Sequence, residues 1–328
     1  MAQLIKLQDY ISRYQVGLNR YPTQFVRVKK SQWERIKQQW ELGKEIPKWE
    51  HIEEFQEEKS SKRFSFINKF LRRKPANEED LEQVNVSDEL ISNDEDEADD
   101  EFDLLFEPNI VYHPQNLEDL KKMFLNQFFH FQIKWASSTL REKSYVDPKF
   151  LRDSFLRNVL QRLPDNYLVF YYPIVQVKKA PVELDIIILT PTDCLCITLV
   201  EYENQAVYLG NGERFWTKKV GKTDKKILNP MIQLNRMESI LSNLFSQGNI
   251  DMPIRKILLS RNGFFDYPGT AFNVKFIDKR EFPNWMQGLR RSPSPMKHMQ
   301  IQAAQAILNH VQTTSYNRDI WNTEKKEQ

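Results

Sequence analysis

The chain has 328 residues, 40% hydrophobic, 12% aromatic and 28% charged, with a formal net charge of +2. That is a soluble globular composition with room for one or two domains, and it excludes a helical membrane protein, because no apolar run approaches the ~20 residues that cross a bilayer. The small net charge conceals an asymmetry: residues 78–107 hold fifteen Asp or Glu and no Lys or Arg, so the remainder carries +17. A basic body joined to an acidic segment points to polyanion binding or to internal masking.

Residues 1–74 read as a basic, aromatic-rich N-terminal region with helical character. Its opening residues lack the apolar core of a signal peptide, so the expected location is a reducing cytoplasm. The aromatics Tyr10, Tyr14, Tyr21, Phe25, Trp33, Trp40, Trp49 and Phe55 are widely spaced, and Arg27, Lys29, Lys30, Arg35 and Lys37 lie among them. Ser31 as a cap, with Glu34 three residues on, predicts a helix over 31–42 carrying Trp33, Ile36 and Trp40 on one stripe. Two readings follow: a nucleic-acid surface that combines cations with stacking rings, or an accessory layer whose rings are core. Residues 62–74 form a basic amphipathic stretch with three readings: it lies on anionic lipid, pairs with polyanions, or docks its apolar stripe on the body.

Residues 75–107 form an acidic linker, too polar to offset the entropy of ordering it, and are expected to be disordered. Residues 108–147 are a helical lead-in, with Leu117, Leu120, Phe124, Phe128, Phe131 and Trp135 at helical spacing over 115–143. The next unit, 148–290, opens with a helix capped by Asp147 before Pro148 and running to Pro164. A strand fits Tyr167–Val177. Two apolar runs, Leu184–Leu189 and Cys194–Val200, then flank Thr190-Pro191-Thr192-Asp193, which predicts a buried β-hairpin. Cys194 and Cys196 share one face of its second strand as small buried hydrophobes rather than a disulfide or a zinc site. Beyond it come a strand at Ala206–Leu209, a turn at Gly210-Asn211-Gly212, a returning strand at Glu213–Trp216, a basic loop with Lys218, Lys219, Lys222, Lys225 and Lys226, and a helix after Asn229-Pro230. Strands at Ile254–Leu259 and Ala271–Ile277, a helical turn at Pro283–Leu289, a C-terminal helix within 291–316 and a frayed tail at 317–328 complete the chain. The fold class is α/β, a mixed sheet flanked by helices.

Chemistry-bearing residues concentrate at the hairpin. Glu183 and Asp185 open its first strand, and Glu201 and Glu203 close its second. The five histidines have no metal-ligand spacing, His130 reads as a core residue, and no glycine-rich phosphate loop is present.

The stretches Arg162-Leu163-Pro164, Glu183-Leu184-Asp185, Thr190-Pro191, Trp216 and Asn229-Pro230-Met231-Ile232-Gln233 stand in an order that resembles the nuclease-related domain (NERD) family. The resemblance covers 148–280. It implies a restriction-endonuclease-like core, catalytic positions at Glu183 and Asp185, and structural roles for Trp216, Asn229, Pro230 and Gln233. The family's E-x-K strand, however, falls on Thr198-Leu199-Val200, which lacks both the acid and the lysine, and the acid nearest the family's helix position is Asp153. An active site would need Glu201 in the acidic role, holding Mg²⁺ or Mn²⁺ together with Asp185, through a bulge in the strand. Three functions remain in view: a nucleic-acid-binding protein with an impaired metal site and no resident cofactor, contacting DNA or RNA through the five lysines; an active metal-dependent nuclease using Glu201; and a scaffold that takes a protein partner through the N-terminal region or the acidic linker.

Overall fold

A computed structural model describes residues 1–42, 106, 108–112, 114–178, 180–268, 273–291 and 294–317. The basic stretch 62–74, nearly all of the acidic segment, Trp49, Phe55 and the tail beyond 317 lie outside the described residues.

The chain opens with β1 (Gln3–Leu7), every residue of which is buried. A short helix, α1 (Arg13–Gly17), starts with a capping box between Ser12 and Gln15. α2 (Tyr21–Leu42) begins ten residues before the predicted Ser31. Pro22 is tolerated in its first turn, and Tyr21 and Phe25 extend the stripe of Trp33, Ile36 and Trp40 backwards into one core. α3 (Leu117–Trp135) is shorter than the predicted 115–143. The Ser137 and Ser138 hydroxyls donate to the Ile133 and Lys134 carbonyls, at 2.8 and 2.7 Å, and satisfy the last acceptors of the helix. His130 lies on the exposed side of α3, not in the core.

β2 (Glu142–Lys143) precedes α4 (Pro148–Arg152) and α5 (Ser154–Arg162). The single helix predicted here is two, because Asp153 leaves helical geometry and caps α5 by accepting from the amides of Phe155 and Leu156 at 2.8 and 3.0 Å. The single strand predicted over 167–177 also splits, into β3 (Leu168–Tyr171) and β4 (Ile174–Val177). Between them stand Tyr172, at a left-handed φ of 50°, and Pro173, which has no ladder donor. β5 (Ala180–Glu183) folds back on β4.

β6 (Ile186–Leu189) and β7 (Cys194–Leu199) form the hairpin that the sequence predicts, with both cysteines buried and free. The supposed basic loop is instead ordered structure. After β8 (Val207–Leu209), β9 (Phe215–Val220) and β10 (Thr223–Leu228) pair in full antiparallel register around Gly221, whose φ of 57° suits a residue without Cβ. The chain continues through α6 (Met231–Gln247), β11 (Ile254–Leu259), β12 (Phe264–Asp266), β13 (Val274–Ile277), α7 (Phe282–Arg290), α8 (His298–Leu308) and β14 (Tyr316–Asn317).

Six strands make the main mixed sheet in the order β1-β3-β6-β7-β11-β13. Alternation sends Ile187, Leu189, Cys194 and Cys196 to one face, beneath α2, α3, α6 and α8, and Ile186, Ile188, Leu195 and Ile197 to the other, beneath α4, α5 and α7. Each such fully buried aliphatic side chain contributes roughly 1.5–3 kcal/mol relative to exposure. A smaller sheet, β10-β9-β8-β12, packs Tyr208 and Trp216 into the first of these cores.

The N-terminal strand belongs to the main sheet, since β1 runs parallel to β3. Its Lys6 is fully buried and donates to the Tyr10 carbonyl (2.6 Å) and Gln15 Oε1 (2.9 Å), with Thr313 Oγ1 at 3.0 Å. Burial pushes its pKa down to about 7, so the amine becomes neutral far more easily than an exposed lysine.

Candidate functional site

The break between β3 and β4 and the short gap between β5 and β6 open the sheet on one side. A cleft of about 340 Å³ lies there, lined by Gln8, Lys149, Phe150, Asp153, Tyr172 and Glu183. Asp185 sits just before β6. Because Ile186 pairs with Ile197, the next position in register opposite Asp185 is Thr198. The Thr198 hydroxyl donates a short hydrogen bond to Asp185 Oδ2, and Gln233 Nε2 stands 3.5 Å from Oδ1. Burial raises the Asp185 pKa, and the Thr198 and Gln233 hydrogen bonds and the Arg236 charge oppose that rise only in part. Gln233 Nε2 and Arg236 Nη2 each lie 3.3 Å from the Glu183 carbonyl oxygen, which fixes the backbone just before Asp185.

Glu201 has a different partner. Arg261 Nε donates to its Oε1 and Nη2 to its Oε2, both at 2.6 Å, and the Arg261 amide donates to Oε1 at 2.9 Å. This is a fork-on-fork pair with side chains only 23% and 16% exposed. Arg261 Nη1 also reaches Ser154 Oγ at 3.1 Å, and its guanidinium lies 5.1 Å from the Phe155 ring centre. The Glu201 hydrogen bond holds its pKa above the ordinary arginine value.

Asp153 accepts from the Tyr171 hydroxyl at 2.6 Å while it caps α5. Burial first, and then the negative fields of Asp185, Asp153, Glu183 and Glu201, raise the pKa of Tyr172. Its phenol therefore stays a hydrogen-bond donor through the ordinary pH range. Four carboxylates thus surround one phenol, but three of them already have specific partners. Among the described residues no three His, Cys, Asp or Glu side chains form a group able to hold a metal ion.

The lysines sort by environment. Lys218 is buried and bonded to Glu203 at 2.7 Å, with Tyr202 covering it at 5.5 Å. Lys219, Lys222, Lys225 and Lys226 are exposed on β9, β10 and their turn. Trp216 is fully buried and donates to the Asn211 carbonyl at 2.9 Å. Asn229 ties Glu213 to the start of α6, donating to the Glu213 carbonyl (2.7 Å) and accepting from the Met231 amide (2.9 Å), and Pro230 immediately precedes the helix. Gln233, one turn in, faces Asp185. The motif from Asn229 to Gln233 therefore aims a helix at the hairpin.

Arg261 and Tyr172 are the residues that sequence reasoning missed. Tyr172 carried a usable signal in the Pro that follows it, because a proline inside a predicted strand marks a break. Arg261 carried none, for it lies sixty positions from Glu201.

Residues 150–260 match the family of the nuclease-related domain (NERD), so this segment is a nuclease-related domain. A stretch of 45 residues is 47% identical to a protein from Geobacillus stearothermophilus named RNA 2',3'-cyclic phosphodiesterase. That stretch is 14% of this chain and 14% of that relative's length. No solved structure matches the chain.

Proposed function

We propose that the nuclease-related domain binds nucleic acid at the cleft beside Asp185 and does not carry out efficient metal-dependent cleavage. The observation that carries this reading is the pairing of Asp185 with Thr198, a hydroxyl in the place where the family strand has a carboxylate. Thr198 supplies a neutral donor, so no second negative oxygen helps Asp185 hold a divalent ion. Val200, at the position of the family lysine, is buried and carries no charge to place against a phosphate.

Glu201 would have to leave Arg261 before it could bind metal, and Arg261 would then lose its bidentate partner in a partly buried site. The buried β6–β7 hairpin beside parallel β11 supports a restriction-endonuclease-like core. The +17 charge outside the acidic segment and the exposed Lys219, Lys222, Lys225 and Lys226 supply attraction for a phosphate backbone. The name of the bacillar relative makes RNA a polymer to test beside DNA.

The test measures binding and cleavage of labelled DNA and RNA in Mg²⁺ and in Mn²⁺. The expected result is binding that weakens steeply with salt and substrates that stay intact. Cleavage that needs the metal and disappears in Asp185→Ala would overturn the impaired-site reading. Failure to bind any nucleic acid at low salt would overturn the binding reading.

A further inference from the structure

The strands β2 and β14 close a small ribbon at one end of the molecule, with Lys143 opposite Tyr316 and Glu142 opposite Asn317. Directly opposed residues share a face, so Lys143 and Tyr316 stand on one side and Glu142 on the other. Tyr145, two residues after Lys143, joins that side. The Tyr145 and Tyr316 ring centres are 5.3 Å apart at an interplanar angle of 51°, and Lys143 Nζ lies 5.8 Å from the Tyr145 ring centre. Both rings are solvent-facing, Tyr145 70% and Tyr316 55% exposed. Arg141 is exposed just before them.

An adjacent pair of exposed aromatics costs the folded chain apolar surface in water, and neither ring contributes to the two cores. The pair is also tied to the cleft. Two residues beyond Tyr145, Asp147 caps α4, whose Lys149 and Phe150 line the cleft. Two residues before Tyr316, the Thr314 amide donates to the Asp9 carbonyl at 2.7 Å, next to the cleft residue Gln8. The Thr314 carbonyl accepts from the Ser144 hydroxyl at 2.6 Å, locking the two strands together.

We infer that Tyr145 and Tyr316 form a stacking platform for an unpaired base of a single-stranded nucleic acid, with Lys143 and Arg141 on its phosphates and the strand continuing towards the cleft. The inference deepens the proposed function and rests on it. Stacking on open rings requires a free base face, which a single strand offers and the interior of a duplex does not. The flanking cations match a phosphodiester chain and are poorly suited to an apolar or basic protein surface.

The test uses the full chain and fluorescence anisotropy with labelled oligo(dT), oligo(U) and a DNA duplex. Tyr145→Ala/Tyr316→Ala should weaken single-strand binding about tenfold to a hundredfold while duplex binding changes less than twofold. Tyr145→Phe/Tyr316→Phe should bind as the unaltered chain does, because the ring is what stacks. Circular dichroism of each variant checks that the fold is retained. Unchanged single-strand affinity in the alanine variant overturns the platform and leaves the proposed function standing. A preference for duplex in the unaltered chain also overturns it. No binding to any oligonucleotide fails the proposed function itself. A shift in oligomeric state in the alanine variant, with oligonucleotide affinity unchanged, assigns the pair to protein contact and overturns the inference.

Discussion

Two hairpins divide the work of this molecule. The β6–β7 hairpin lies at the centre of the main sheet with both faces covered, and its polar side chains survive there only with specific partners: Asp185 with Thr198, and just beyond the strand Glu201 with Arg261. The β9–β10 hairpin covers one core with one face and shows the other to water, so Trp216 and Lys218 point inwards while Lys219 and Lys226 stay outside. In the first hairpin charge is a structural burden that must be neutralised locally. In the second it is available to a partner. Carboxylates concentrate at the first, whereas the exposed cations lie at the second.

The sharpest way to break this contrast is to remove the exposed lysines together. Lys219, Lys222, Lys225 and Lys226 all changed to Ala should lower nucleic-acid affinity on the order of a hundredfold at 0.15 M salt and flatten its salt dependence, since each lost phosphate contact removes about 0.7–0.9 from the log–log slope. Thermal stability should stay nearly unchanged. Lys218→Ala should do the opposite, lowering the melting temperature with little change in slope, because its ammonium is already paired. Equal binding losses from Lys218 and from the exposed four would erase the distinction between buried, paired lysine and exposed lysine.

Glu201→Gln comes next. It removes the bidentate counter-charge of the partly buried Arg261, leaving only the more distant field of Asp153, and should destabilise the fold by about 2–3 kcal/mol, read by urea unfolding. Adding Arg261→Met should recover most of that loss. A Glu201→Gln protein of unaltered stability would show the pair to be dispensable and would return Glu201 to the list of possible metal ligands.

The smallest effect concerns Asp185. Its folded pKa is raised, so above that pKa the native state carries a charge that the unfolded chain holds more comfortably. Asp185→Asn should therefore raise the melting temperature by a few degrees at neutral pH. As pH falls through the carboxylate range the unaltered protein takes up its proton and the difference should vanish. A lower melting temperature for Asp185→Asn at pH 7 would mean that the carboxylate stabilises the fold.

Much of the architecture was legible because its signals are local. The β6–β7 hairpin announces itself by two β-branched runs around a Pro-containing turn, and the stripe of α3 by helical spacing of aromatics. β1 was missed because its strand is short and includes buried Gln3 and Lys6, which break an apolar pattern that their hydrogen bonds make affordable. Beyond Trp216 the β9–β10 hairpin was missed for a related reason: its inward row runs Trp216, Lys218, Val220, so a buried lysine hides the alternation.

The sequence by itself determined that acids stand at 183 and 185 at the mouth of the hairpin and that two apolar runs must pair. Only the tertiary structure decided what Glu201 does. β7 and β11 lie side by side in parallel, with Leu199 opposite Leu259, so the chain leaving each strand brings Glu201 against Arg261. Strand pairing between segments sixty residues apart depends on how the whole sheet is covered, and no local pattern around either residue records it.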